Sequence, residues 1–132
     1  MESLLGHNTR RPDITFYRNG RIDITARIAN IIGLRAGDVI DIGRERGELY
    51  LYRLHKYETL IGRHEAQCMS THKGRLHPSR NLRAFSKRLT DCILNMTTKG
   101  EIARIWCGST TTFDNGETAV IIIIPSYNII KQ

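Results

Sequence analysis

The stretch ITFYRNGRIDITARIANIIGLRAGDVIDI, Ile14 to Ile42, contains a complete local plan. Ile14 and Phe16 alternate with polar neighbours, and Ile22 and Ile24 resume that alternation beyond Asn19-Gly20, a dipeptide that tolerates positive φ at both positions. Two short strands joined by a tight turn follow from this pattern. Thr25 is then placed to cap a helix in which Ile28, Ile31 and Ile32 recur at the spacing of one apolar stripe, and Gly33 supplies a left-handed stop. Arg35 to Asp38 forms the next turn, and the β-branched run from Val39 to Ile42 returns the chain to sheet. Beyond it, Gly43 to Gly47 reads as a charged hairpin loop, and Glu48 to Leu54 as a returning strand with Tyr50 and Tyr52 on one face.

This arrangement resembles the AbrB-like swapped-hairpin family of small DNA-binding regulators, which includes MazE-type antitoxins. The resemblance rests on Gly20-Arg21, Ile22-Asp23-Ile24, a helix from Ala26 to Ile32, Gly33-Leu34, Gly37-Asp38 and the strand Val39 to Ile42. It departs from the family at Thr25, where members usually carry proline. It departs again at Ala29 and Asn30, where DNA-binding members carry a basic pair, so Arg21 alone carries over by position. The resemblance implies an N-terminal swapped-hairpin, β-barrel-like unit over residues 13–58. A β-β-α-β-β unit of this size buries too little apolar surface to be stable alone. The family answers that need with two chains, so a homodimer is expected.

The fold class is accordingly α+β: a loose arm over residues 1–12, the swapped-hairpin-like unit over 13–58, and a small C-terminal α+β domain over 59–132. In the C-terminal part, a helix is predicted from a Ser79 cap through Asn95, with Leu82, Phe85, Leu89 and Cys92 or Ile93 on its apolar stripe. Arg80, Arg83 and Lys87 share another face of that helix, with Arg80 and Arg83 in its first turn. There the helix dipole disfavours cations by typically ~0.3–1 kcal/mol, which points to an anionic partner nearby. Glu101 to Phe113 reads as one strand, Asp114-Asn115-Gly116 as a hairpin turn, and the apolar run Ala119 to Ile124 as a strand covered on both faces.

The net charge of +7 is unevenly spread: residues 1–58 hold ten Lys or Arg against eight acids, and residues 59–132 hold ten against five. That balance suits an anionic partner such as nucleic acid. An N-terminus without an apolar h-region and an apolar run far too short to span a bilayer suggest a cytoplasmic protein without a membrane partner. Cys68, Cys92 and Cys107 are odd in number and lack Cys-x-x-Cys spacing, as expected of reduced, mostly buried thiols.

Residues 63–72 fit either a helix or an edge strand. On a helix His64, Cys68 and His72 would line one face, with His77 nearby, and a zinc site would be conceivable. On a strand neighbouring members would stand ~13 Å apart. The spacing matches no zinc signature, the strand is the preferred reading, and no metal or other cofactor is expected. Catalysis is not indicated either. Acids do not pair in an apolar setting, no Gly-rich phosphate loop occurs, and Cys107-Gly108-Ser109 falls in a strand pattern without an adjacent base.

Two functions remain open. One is a non-enzymatic, homodimeric DNA-binding transcriptional regulator that contacts duplex phosphates through Arg18, Arg21 and Arg27 near the hairpin and through Arg80, Arg83, Lys87 and Arg88. The other is a structural or protein-interaction module that keeps the fold without the DNA surface. Ala29 and Asn30, the acids Asp13 and Asp23 near the hairpin, and the apolar strand of the second half favour it.

Overall fold

The structure, a computed structural model, describes residues 11–54, 65–71, 80–97 and 100–124. These residues form two antiparallel sheets and two helices, a mixed α+β fold dominated by strand, and no closed barrel runs through the described strands. The first sheet contains β1 (Ile14–Tyr17), β2 (Arg21–Ile24), β5 (Met69–Ser70), β6 (Leu82–Phe85) and β7 (Ile102–Ile105), in the order β5-β6-β2-β1-β7. The second contains β3 (Ile40–Glu45), β4 (Glu48–Arg53), β8 (Cys107–Thr112) and β9 (Thr118–Ile122), in the order β3-β4-β9-β8. Helix α1 spans Ala26–Ile32 and α2 spans Lys87–Met96.

The N-terminal plan forms in the order its sequence sets. The first strands meet at Gly20, whose φ of +103° requires glycine. A Cβ there would also stand 3.3 Å from the Lys87 nitrogen, so the β1–β2 turn is pressed against the start of α2. Gly33 ends α1 in the left-handed conformation, as expected. The cap itself differs. Thr25 occupies the cap position but its hydroxyl accepts no capping bond, and the Asn81 side chain takes the Ala26 N–H instead at 2.8 Å. The buried stripe of α1 is Ile28, Ala29 and Ile32, while Ile31 is exposed, so Ala29 serves packing where the resemblance leads one to look for a cation. The charged hairpin tightens to Arg46 and Gly47, both at positive φ, and β3 runs on through Gly43 and Arg44.

Three expectations for the second half are corrected. The helix predicted from Ser79 begins only after Ser86, whose hydroxyl oxygen accepts from the Leu89 N–H at 3.2 Å. Leu82 to Phe85 is strand because β2 offers an open edge: Leu82 and Ala84 alternate into the core opposite Ile24 and Ile22, which outweighs helix propensity. Arg80 and Arg83 therefore do not occupy a helical first turn; that turn carries Lys87 and Arg88. The segment from Glu101 is two strands, because the chain leaves the first sheet at Trp106 and enters the second at Cys107. The run from Ala119 does form a central strand, paired on both sides by β4 and β8, although it ends at Ile122 and Ile123 is exposed.

Apart from β7, the order of strands in both sheets is unchanged when residues 13–54 and 66–124 trade places. Strands β2 and β6 are antiparallel about Ile22↔Ala84, so Arg21 opposite Phe85 in one half corresponds to Arg83 opposite Asp23 in the other. Strands β4 and β9 are antiparallel about Tyr50↔Ile121, and Leu49 opposite Ile122 corresponds to Val120 opposite Leu51. At the flanks, β1 is bordered by β7, and the segment before β5 is bordered by Val39, which bridges Gln67. Each half runs strand, strand, helix and ends in a hairpin of the second sheet, with β7 added to the first sheet before the second half crosses. The expected boundary at residue 58 separates these halves, yet both sheets take strands from either side of it. Each half therefore buries its apolar faces against the other half of the same chain. Their shared core includes Ile14, Phe16, Ile22, Ile24, Leu51, Ile93, Leu94 and Ile105, each at most 1% exposed. Burial of one such side chain contributes roughly 1.5–3 kcal/mol.

Candidate nucleic-acid interface

Alternation along the first sheet sends Ile14, Phe16, Ile22, Ile24, Leu82, Ala84, Ala103 and Ile105 inward. Their neighbours form the opposite, open face. Register arranges these neighbours in two rows across the strands. One row reads Phe85, Arg21, Tyr17, Ile102, and the other reads Met69, Arg83, Asp23, Thr15, Arg104. Phe85 and Met69 are each 47% exposed, and Arg104 is also exposed.

Asp23 organises the centre of this face. Arg21 donates to it from Nη2 at 2.7 Å and from Nε to both oxygens at 3.1 Å, while Arg83 donates from Nε at 2.8 Å. Partial burial pushes the Asp23 carboxyl up, but the hydrogen bonds from Arg21 and Arg83 outweigh it and hold the group below its ordinary value. The Arg21 guanidinium carbon also stands over the Tyr17 ring, 4.6 Å from its centroid, a cation–π contact. Beside Asp23 and Arg83 is a depression of about 140 Å³ whose lining includes Thr15, Thr25, Thr71 and Asn81. The buried Thr25 Oγ1 finds no hydrogen-bond partner.

The structure distributes the other expected residues around this face. Arg18 meets Asp91 at 3.3 Å and the Gly100 carbonyl at 3.2 Å; Lys87 meets Asp91 at 3.2 Å and the Arg18 carbonyl at 3.3 Å. The Lys87 bond, together with that from Arg18, holds the Asp91 carboxyl below its ordinary value against the opposing effect of desolvation. Arg18 and Lys87 thus form a second cationic pair at the end of the sheet. Arg27 pairs at 3.0 Å with Asp13, a buried carboxylate whose other oxygen accepts from the Cys107 N–H at 2.7 Å. Arg88 chelates Glu65 on the other side of α2, and Glu65 also accepts from the Ser86 hydroxyl at 2.7 Å. Arg80 is exposed just ahead of β6. Arg21 and Arg83 therefore share one carboxylate, Arg18 and Lys87 share another, and Arg27 and Arg88 are held elsewhere.

Sequence leaves Tyr17 and Arg104 unassigned and puts Phe85 on the apolar stripe of a helix, whereas Phe85 is an exposed strand residue. Their signal is the polar or exposed phase of the same alternation that places Phe16, Ala84 and Ala103 in the core. For the zinc alternative, His64, His72 and His77 lie outside the described residues. Cys68 is buried, which pushes its thiol up to about 12, and no cluster of metal-ligating groups occurs among the described residues. Cys107 is buried and Cys92 exposed. No described helix is long and apolar enough to cross a membrane.

Comparison with known protein families, curated proteins and solved structures finds no match for this chain.

Proposed function

We propose that this chain is a non-enzymatic DNA-binding regulator whose binding surface is the open face of the five-stranded sheet. The observation that supports this reading is the arginine pair. Arg21 and Arg83 occupy equivalent positions in the two halves, flank the Ile22–Ala84 centre, and are fixed by one shared carboxylate. With Arg104 the rows carry three guanidiniums against Asp23 alone, and Arg18 and Lys87 extend the cationic surface at one end. Guanidiniums already oriented by Asp23 keep further N–H donors for phosphate oxygens, and less side-chain entropy is lost on binding. The exchange of strands between halves also favours a swapped-hairpin reading in which one chain plays the part of two. On this reading the binding unit is the single chain, in place of the homodimer that the resemblance implies.

The test is anisotropy of labelled DNA, in duplex and single-stranded form, titrated with the protein across salt concentration. Affinity that falls steeply with salt, with a slope reduced by Arg21→Gln and Arg83→Gln, supports the proposal. Absence of binding to either form at low salt refutes it. A second reading, a protein-interaction face, draws on the exposed Phe85, Met69 and Ile102 of the same rows. A protein partner that co-purifies without nucleic acid, and is released by Phe85→Asp, would favour that reading.

A further inference from the structure

We infer that the open sheet face takes single-stranded nucleic acid, with unpaired bases stacked on Phe85 and on the Tyr17–Arg21 pair; this rests on the nucleic-acid reading proposed above. The width of the face is the first reason. Five strands spaced by about 4.8 Å span roughly 19 Å, whereas the major groove of B-form DNA is about 12 Å wide. The face is too broad to enter an undistorted B-form groove and reach base edges, so a straight duplex meets it through phosphates. A single strand has no such restriction, because its bases lie flat against a sheet and its backbone follows the cations.

The chemistry of the rows is the second reason. Phosphate attraction alone calls for cations, but here aromatic rings are interleaved with them. Phe85 stands directly opposite Arg21, 47% exposed at a position where solvation would favour a polar side chain. On the other side of Arg21, the guanidinium held over Tyr17 offers a cationic, ring-backed platform to a base. Phe85 and Tyr17 are two strands apart, about 10 Å, which places two stacking platforms around one cation. The small depression beside Arg83 and Asp23, whose lining includes Thr15, Thr71 and Asn81, adds polar side chains for a base edge or sugar between the rows. This hollow beside the exposed Phe85 ring and the Tyr17-backed guanidinium suits unpaired nucleotides, and a phosphate-only contact has no use for it.

The experiment uses the full chain with a labelled 12-nucleotide strand as DNA and as RNA, and with the DNA strand annealed to its complement. The single strands are expected to bind at least tenfold tighter than the duplex at low salt. Phe85→Ala should weaken single-strand binding about five- to 150-fold with the salt slope unchanged, and Phe85→Trp should retain it. Tighter binding of the RNA strand assigns the depression to a 2′-hydroxyl, and equal binding of the two strands assigns it to a base edge; both support the inference. Duplex binding as tight as single-strand binding, or indifference of the single strand to Phe85→Ala, overturns it and leaves the broader DNA-binding proposal standing. Failure of all three probes to bind at low salt overturns both.

Discussion

If phosphates lie along the arginine rows, replacing Arg21 and Arg83 with glutamine must change the salt dependence of binding and not only its strength. Each cation that neutralises a phosphate of a single strand contributes about 0.7 to the slope of log affinity against log salt. Arg21, Arg83 and Arg104 together then give a slope near 2, equivalent to a roughly 20-fold loss of affinity from 50 to 200 mM salt. Removing the first two leaves a slope near 0.7 and a loss of about 2.6-fold over the same range. Because the two arginines occupy equivalent positions, each single substitution should remove a similar share. The cost in stability is small. Both ion pairs with Asp23 join side chains about a third exposed, where a pair contributes at most about 1 kcal/mol, and the glutamine amide still donates to the carboxylate. The assay is anisotropy of a labelled strand at four or more salt concentrations, with a urea melt to confirm folding. A folded double variant that keeps the wild-type slope refutes the assignment of phosphate to these arginines, even if its affinity is lower.

The caps make opposite predictions from those of sequence. Thr25→Ala should cost under about 0.5 kcal/mol because the hydroxyl makes no capping bond, whereas Ser86→Ala should cost about 1 kcal/mol or more, since its hydroxyl serves both Leu89 and Glu65; urea melts of both variants decide. Gly20→Ala should destabilise by more than about 1 kcal/mol, because its φ of +103° excludes a Cβ that would also press on Lys87. Asp23 makes stability depend on acid. Its carboxyl is held below the unfolded value, so its contribution is complete above about pH 5 and is lost as pH falls through the folded value; urea melts from pH 6 to 2.5 should show this loss reduced in Asp23→Asn. Leu51→Ala, in a fully buried position of a central strand, should cost about 2–5 kcal/mol by the same method.

How much of this was legible depended on whether local or distant residues decide each element. The first hairpin, the stop at Gly33 and the strand after Asp38 rest on turn chemistry and alternation within a few residues, and they form where sequence places them. Leu82 to Phe85 reads as helix from sequence because Leu82, Phe85 and Leu89 stand at helical spacing, a pattern that a strand entering a helix also produces. The open edge of β2, some sixty residues earlier, selects strand. The break at Trp106 is of the same kind: nothing local marks it, but β1 pairs Ile102–Ile105 and β9 pairs Cys107 onward. The candidate site was half visible for that reason. Arg21 could be found from the hairpin, but its counterpart Arg83 and the neighbouring Phe85 come to it only through the β2–β6 register.

The correspondence between the halves also predicts what a single chain can do that two identical chains cannot. Around the Ile22–Ala84 centre, the arginine positions match, Arg21 with Arg83, but the positions beside them do not: Asp23 corresponds to Phe85, and Tyr17 to Met69. A symmetric dimer would repeat either the carboxylate or the ring on both sides. Two carboxylates at this centre would cancel the charge of both arginines, and two rings would leave neither guanidinium oriented. With one of each, Asp23 fixes both cations and Phe85 stays available to a ligand. The face acquires a direction, with Phe85 and Met69 toward one edge and Tyr17 and Arg104 toward the other. Nucleic-acid strands are themselves directional, so a single strand should cross this face in one preferred polarity. Placing a fluorophore at the 5′ or the 3′ end and a quencher at the exposed Cys92 would distinguish one orientation from a mixture of two. Equal quenching from both ends would mean that the asymmetry between the halves does not orient the strand.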